Sequence, residues 1–330
     1  MSNTGKLAVL TVLENPLEWE SRYRNYHRFR GMIENNGMCR LYTVEILHGK
    51  QVGIRRWPGL WPVTEDDLRH PVLQLRTDSQ IWHKENAMNL LMQRVEEDNI
   101  AWVDADVTFT NSDWVHQTFK QLESYKVVQL FSHAQDLGYS YQPVGCVRPG
   151  YFHQYKTEGE IYGGINFWGK QTKKVPPEKN AHPGLAFAAT KETLSNLGGL
   201  IDWCIVGSGD FHMNAALLGK LTDIIKPLGY TENYQQKCRV WESLADQYIT
   251  GSVGYVPGLI LHHWHGEKDK RQYATYQDIL RKLEFNPDID LVRDWQGLYK
   301  ISSSNYELVA AIQKYMRSRD DDSRGEVLIP

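Results

Sequence analysis

The sequence lacks several features that would each point to a specific class of protein. Nothing in its 330 residues approaches the apolar run of about 18 residues that a membrane-spanning helix requires. The N-terminal Met1 to Val12 has no charged start followed by an apolar stretch and a small-residue cleavage site, so a cytoplasmic protein is expected. Cysteine is scarce: Cys39, Cys146, Cys204 and Cys238 lie far apart with no paired zinc spacing, which reads as reduced thiols rather than a disulfide scaffold. Basic charge is not in surplus either. Lys and Arg number 37 against 40 Asp and Glu, a formal charge of −3, which excludes a generic polyanion binder but not a local basic groove. No internal repeat is present. What is abundant is aromatic surface, with 11 Trp, 18 Tyr and 9 Phe making 12% of the chain. Part of this belongs to a large core, and part suits stacking on sugars or bases.

The chain alternates strands and helices from its start. Leu7 to Leu13, Leu41 to Leu47, Val72 to Leu75, Ile100 to Val103 and Val127 to Phe131 are apolar runs of strand length. Between them, Asn15-Pro16 supplies a cap and first-turn proline for a helix ending at Gly37, and apolar spacing predicts a second helix over 79–97. This order argues for an α/β layered sheet, mostly parallel and flanked by helices. From 132 to 182 the periodicity disappears, so a functional loop or unseen short strands are expected there. Further on, a Thr190-capped helix, a helix starting near Asp210 and one over 241–249 precede a strand ending at Leu261. Two helices, over 271–285 and 305–316, then form a C-terminal extension spanning 267–316, and residues 317–330 read as a polar, mobile tail.

Chemistry concentrates at a few places. Trp102-Val-Asp104-Ala-Asp106 delivers two carboxylates at a strand's C-terminal end, where ligands bind in open α/β sheets. If the backbone stays extended, both face one side and suit a hard divalent cation; the bland alternative is two caps of the following turn. His262, His263 and His265 end a late strand and offer a further ligand, while Lys268, Lys270 and Arg271 beyond them suit a diphosphate. A zinc site is also compatible with such donors, but cations next to a metal favour a phosphate-bearing ligand. Gly207-Ser208-Gly209-Asp210 places a carboxylate in a helix's first turn with His212 nearby, either a simple cap or a general base for an acceptor hydroxyl. Lys84, Glu85 and Asn89 share the polar side of the helix that follows Trp82.

Together, the Trp82-x-Lys84-Glu85-x-x-x-Asn89 helix, the Trp102-x-Asp104-x-Asp106 strand, the Gly184-Leu-Ala-Phe-Ala segment, the Gly-Ser-Gly-Asp210 turn and His262-x-Trp264-His265-Gly266 resemble metal-dependent glycosyltransferases of the GT-A fold. The resemblance is nearest to a bacterial and bacteriophage set and runs to about Tyr276. It implies a GT-A domain over 1–266, with a nucleotide-sugar half to about 131 and an acceptor half from 132. It also implies Mn²⁺ or Mg²⁺ held by Asp104, Asp106 and His265, with His263 as rival ligand. A nucleoside-diphosphate sugar, UDP-linked by preference, would lie against Thr11, Lys84, Glu85, Asn89, Asp104, Lys268 and Arg271. The transferred sugar and acceptor would lie near Gly163, Gly164, Gly184, His212 and Trp168, with Asp210 taking the acceptor proton. The implied acceptor is a glycan or a hydroxymethylated pyrimidine in duplex DNA, in the cytoplasm of a bacterium or a phage-infected host. The aromatic residues expected to meet it are Trp57, Trp61, Tyr139, Tyr141, Tyr151, Phe152, Tyr155, Tyr162 and Trp168. Other classes that use clustered Asp and His are a metal-dependent phosphoesterase or nuclease, and a non-catalytic sugar-binding module.

Overall fold

The computed structural model describes residues 5–49, 70–161, 175–272, 275–302 and 304–323. Its strands are β1 Leu7–Glu14, β2 Cys39–His48, β3 Val72–Thr77, β4 Asn99–Val103, β5 Val107–Phe109, β6 Val127–Gln129, β7 His133–Leu137, β8 Pro143–Pro149, β9 Ala186–Thr190, β10 Val253–Tyr255, β11 Leu259–His262, β12 Leu291–Arg293 and β13 Tyr299–Ile301. Its helices are α1 Glu20–Glu34, α2 Lys84–Met92, α3 Trp114–Leu122, α4 Tyr151–Glu158, α5 Lys191–Asn196, α6 Gly209–Leu217, α7 Leu221–Ile225, α8 Glu232–Tyr248, α9 Asp278–Lys282, α10 Pro287–Asp290 and α11 Tyr306–Ser318. Seven strands form one sheet in the order β10-β6-β9-β4-β1-β2-β3. Six run in one direction and only β9 runs against them. A second sheet, β5-β11-β7-β8, stands beside it.

Both faces of the main sheet are covered, which explains why β1 reads as a continuous apolar run rather than an alternating one. Ala8 and Leu10 enter one cluster, with Met88 and Leu91 of α2 and Ile312 of α11. Leu7 and Val9 enter the other, with Phe29 and Ile33 of α1 and Trp114 of α3. Strand order departs in opposite directions from β1, toward β2 on one side and β4 on the other. A crevice opens at the carboxyl ends of strands at such a switch point. The Thr11 Oγ1–H donates to the Val103 carbonyl at 2.8 Å and ties the ends of β1 and β4 together there.

Several sequence expectations are corrected. The helix predicted over 79–97 occupies only Lys84–Met92, and the one over 241–249 begins earlier, at Glu232, where Thr231 caps it. Residues 271–285 are not one helix. A short turn over Lys268–Arg271 ends at Gln272 in the left-handed conformation, and α9 covers only Asp278–Lys282. The segment 132–182 holds β7, β8 and α4, whose short strands pair in the second sheet and leave no long apolar run to read. The C-terminal extension includes the β12–β13 hairpin, and Leu298, Ile301, Leu308 and Ile312 join the same buried cluster as β1.

Residues 319–323 of the expected mobile tail dock against the body of the protein. Asp321 is fully buried and receives Arg22 Nη2 at 2.6 Å and Arg319 Nε at 3.3 Å. Asp322 caps α1 by accepting from the backbone N–H groups of Glu20 and Ser21 at 2.7 and 2.8 Å. Asn15, the expected cap, instead closes a loop on Trp19 through both its amide atoms. A cap supplied from 300 residues away satisfies the same orphan donors but leaves no local signal.

Gly266 lies where this segment crosses. Its φ is +87°, and a Cβ there would meet Asp321 Cα at 2.6 Å and the Asp320 carbonyl oxygen at 2.7 Å, both backbone atoms. Gly266→Ala is therefore expected to cost more than about 1 kcal/mol, because the conformation and the backbone contact both oppose a side chain. Thermal denaturation should show a lowered Tm, and limited proteolysis should cut earlier after Ser318. An unchanged Tm would contradict the close approach.

Candidate active site

A cleft of about 490 Å³ opens at the carboxyl ends of β1 and β4. Asp106, His262 and His265 form one wall of it. β4 stops at Val103, and the chain turns through Asp104-Ala105-Asp106 before β5. The Asp106 carbonyl accepts from the His263 N–H at 2.7 Å, which holds that turn against the end of β11. Asp106 Oδ2 lies 3.1 Å from His265 Nε2 and 3.8 Å from His262 Nε2, and the two ring nitrogens are 3.3 Å apart. Each imidazole is backed by a second carboxylate. His262 Nδ1–H donates to Asp136 Oδ1 at 2.8 Å, while Asp321 Oδ2 is 3.6 Å from His265 Nδ1. Burial opposes ionisation of Asp106, but His262 and His265 hold it well below the usual carboxylate range. Burial likewise opposes a charged His262, yet Asp106 and Asp136 push it up to about 9. His265 is pushed down to about 4 by burial and by Arg271.

This donor set fits a divalent cation. Ligand atoms about 2.0–2.2 Å from a shared metal sit roughly 3–3.5 Å from one another, close to the spacings found. Among the described residues, Asp106 Oδ1 is buried and has no hydrogen-bond partner, so an acceptor stands in the cluster without a donor. Asp136 is a third carboxylate nearby and lies close to His182 as well as His262. It is engaged by Arg148 at 3.1 Å and by Lys268, and its contact with His262 Nδ1 orients that ring, the familiar backing of a metal-bound histidine.

The opposite wall is organised by Lys84, whose ammonium lies 2.6 Å from Asp104 Oδ1, 3.1 Å from Asp210 Oδ2 and 3.9 Å from Glu85 Oε1. Burial alone would favour a neutral lysine, but Asp104, Asp210 and Glu85 raise Lys84 well above its ordinary value. Burial pushes Asp104 up to about 6 and Glu85 up to about 8, in each case against the pull of Lys84. Two glycines make room for these carboxylates. A Cβ on Gly184 would meet Asp210 Oδ2 at 2.8 Å, and one on Gly209 would meet Glu85 Cδ at 2.6 Å.

The expected site residues therefore divide. Thr11, Lys84, Glu85, Asp104, Asp106, Gly184, Asp210, His265, Lys268 and Arg271 border the cleft. Asp104 and Asp106 do not face one way, because the turn sends one to Lys84 and the other to the histidines. His263 turns from the cluster and bonds Thr108 Oγ1 at 2.8 Å. Lys270 pairs with Asp320 at 2.6 Å. His212 is buried; its Nδ1–H donates to the Ser208 carbonyl and its Nε2 accepts from Tyr234, so it is a core histidine that burial pushes down to about 4. Asn89 holds the Leu200 backbone through both its amide atoms, at 3.0 and 2.8 Å. Tyr151 and Phe152 are core, whereas Tyr139 and Tyr141 are exposed. Gly163, Gly164, Trp57, Trp61, Tyr162 and Trp168 lie outside the described residues.

The sequence left open which of His262, His263 and His265 would enter the cluster, and the structure brings His262 and His265 to Asp106, while Asp136, His182 and Asp321 were not foreseen. The Asp136 signal was a lone acid in an apparently irregular stretch, and Asp321 was one of three acids in a polar tail.

No family model matches the sequence, and no curated protein does. Among solved structures, the chain is similar to S. aureus TarS 1–349 at 10% identity and a TM-score of 0.35, covering 73% of this chain and 71% of that one. It is also similar to the complex of TarS 1–349 with UDP-GlcNAc at 10% identity and a TM-score of 0.38, covering 95% and 81%. Likenesses this distant locate no residue.

The raised Glu85 generates a pH prediction. Its folded value of about 8 lies above the ordinary glutamate value of about 4.3, so its contribution to stability is full below that lower value and is lost as pH rises through about 8. Glu85→Gln should therefore become more stable relative to the parent as pH increases from 5 to 9. Urea denaturation across that range measures it, and a pH-independent difference would exclude the assignment.

Proposed function

We propose that this chain is a metal-dependent glycosyltransferase that moves a sugar from a nucleoside-diphosphate sugar, UDP-linked by preference, to a hydroxyl acceptor. The observation that carries this reading is that a single cleft has the Asp106–His262–His265 cluster on one wall and Asp210 on another. A divalent cation held by Asp106, His262 and His265 would neutralise negative charge growing on a departing diphosphate. Arg271 is buried behind the cluster, with Nη2 donating to the carbonyls of His265 and Gly266 at 3.3 and 3.4 Å, and it adds fixed positive charge to that wall. Lys268 adds another cation at the rim. At an effective dielectric near 20, a unit charge pair at about 4 Å is worth roughly 4 kcal/mol, so this grouping is the main source of leaving-group stabilisation.

Asp210 is the proton acceptor in this reading. It stands in the first turn of α6, with the Gly184 backbone leaving space beside its carboxylate and Lys84 balancing its charge. Tyr139 and Tyr141 are exposed, each beneath a guanidinium, Arg24 at 5.6 Å and Arg28 at 4.5 Å from the ring centroids, and would meet an acceptor that extends beyond the cleft. Flat rings with paired cations suit a base or a sugar, so the acceptor in this reading is a glycan or a hydroxymethylated pyrimidine in duplex DNA. A cytoplasmic location, bacterial or that of a phage-infected host, accompanies this reading.

Release of nucleoside diphosphate from a panel of donors, with and without Mn²⁺, tests the activity. Metal-dependent release is expected, and its absence for every donor would exclude a transferase. Asp210→Asn should lower kcat by about 10²- to 10⁴-fold with little change in donor KM, the usual range for loss of a general base. Asp106→Asn should abolish the response to metal while leaving the fold intact. Binding to hydroxymethylated duplex should weaken steeply with salt and weaken further in Arg28→Ala; no binding at low salt would remove DNA as acceptor.

A further inference from the structure

A second cluster of metal-type donors stands apart from the Asp106 wall. Glu14 ends β1, His48 ends β2 and His83 immediately precedes α2. All three are buried, and one donor atom from each lies within 4.8 Å of the others. Glu14 Oε1 is 2.6 Å from His83 Nδ1 and 3.1 Å from His48 Nε2. The remaining atoms of the group show how it is aimed. Glu14 Oε2 accepts from the His83 backbone N–H at 3.1 Å, which fixes the carboxylate and leaves Oε1 toward the imidazoles. His83 Nε2 lies 3.0 Å from the Tyr299 carbonyl, an acceptor, so Nε2 carries the proton and Nδ1 is the atom presented to Glu14. A ring N–H given to a backbone carbonyl is the usual backing of a metal-bound histidine.

We infer that Glu14, His48 and His83 form a second metal site, for a zinc-class dication, with ligand atoms Glu14 Oε1, His48 Nε2 and His83 Nδ1. Two imidazoles and one carboxylate are a transition-metal donor set rather than a Mg²⁺ or Ca²⁺ set. Glu14 borders the cleft, so water completes the coordination from that side. The site joins the ends of β1 and β2 to the start of α2 and, through Tyr299, to β13. It is a structural staple at the edge of the cleft and does not depend on the transferase reading.

Metal counting separates this site from the Asp106 cluster. Full-length protein is stripped with chelator, dialysed against Zn²⁺ and assayed by atomic emission, with folding checked by circular dichroism. His265→Ala weakens the first cluster, and the double variant His48→Ala/His265→Ala removes the second as well. The expected difference between them is one zinc per chain, and no difference overturns the inference. If the double variant does not fold, His48→Cys decides. Loaded with Co²⁺, it should show a thiolate-to-cobalt charge-transfer absorption absent from the parent. Folded His48→Cys that binds cobalt without that absorption overturns the site as well.

Discussion

Three carboxylates, Asp106, Asp136 and Asp321, close around two imidazoles, His262 and His265, and distant parts of the chain are arranged to keep that charge in balance. Taking carboxylates out of water costs several kcal/mol each unless partners replace the lost hydration. Asp321 is the deepest of the three. Burial opposes its ionisation, but Arg22 and Arg319 hold it well below the ordinary carboxylate range. Those two cations come from α1 and the end of α11, so satisfying one buried charge closes the C-terminal segment over the N-terminal helix. Asp136 does the same for the second sheet, drawing Arg148 of β8 and Lys268 to the back of His262. The docking of residues 319–323 is thus an electrostatic consequence of the site and not a property of their own composition.

The other wall solves the same problem with signs reversed. One buried ammonium, Lys84, faces Asp104, Asp210 and Glu85, one cation for three acids. Burial, with the neighbouring acids adding to it, raises Asp104 and Glu85, which keep protons that exposed acids would lose near pH 4.

Much of the sheet was legible because β1 and β4 are buried on both faces and appear as apolar runs, while β2 keeps a strand-length apolar set around Thr43 and Glu45. The capped helices were legible where the cap is local, as at Thr190. Three kinds of feature were not. β7 and β8 are short and mixed in polarity, and Asp136 is placed by a pairing of β7 with β11 across more than 120 residues. The α1 cap comes from Asp322, which has no signature near the helix. His212 and Asn89 sit at helical positions where a functional and a structural role look identical in sequence. Only the buried hydrogen bonds of His212 to Tyr234, and of Asn89 to the Leu200 backbone, distinguish them.

The Asp-x-Asp pair shows how one short motif serves both walls. Strand alternation would send both carboxylates to one side, but the Asp104 N–H is captured by the Leu185 carbonyl at 2.8 Å and the Asp106 carbonyl by His263. Pinned at both ends, the three residues turn instead of extending, and their side chains diverge. Asp104 joins the lysine network and Asp106 the histidine cluster, so the turn spans the floor between the proposed proton acceptor and the proposed metal ligands. Lys84 therefore links Asp210 to Asp104, and the backbone of this turn links Asp104 to Asp106. Any shift in the turn moves both halves of the chemistry together. That coupling is why residues with no reacting atom, Leu185 and His263 among them, bear on how the cleft is aligned.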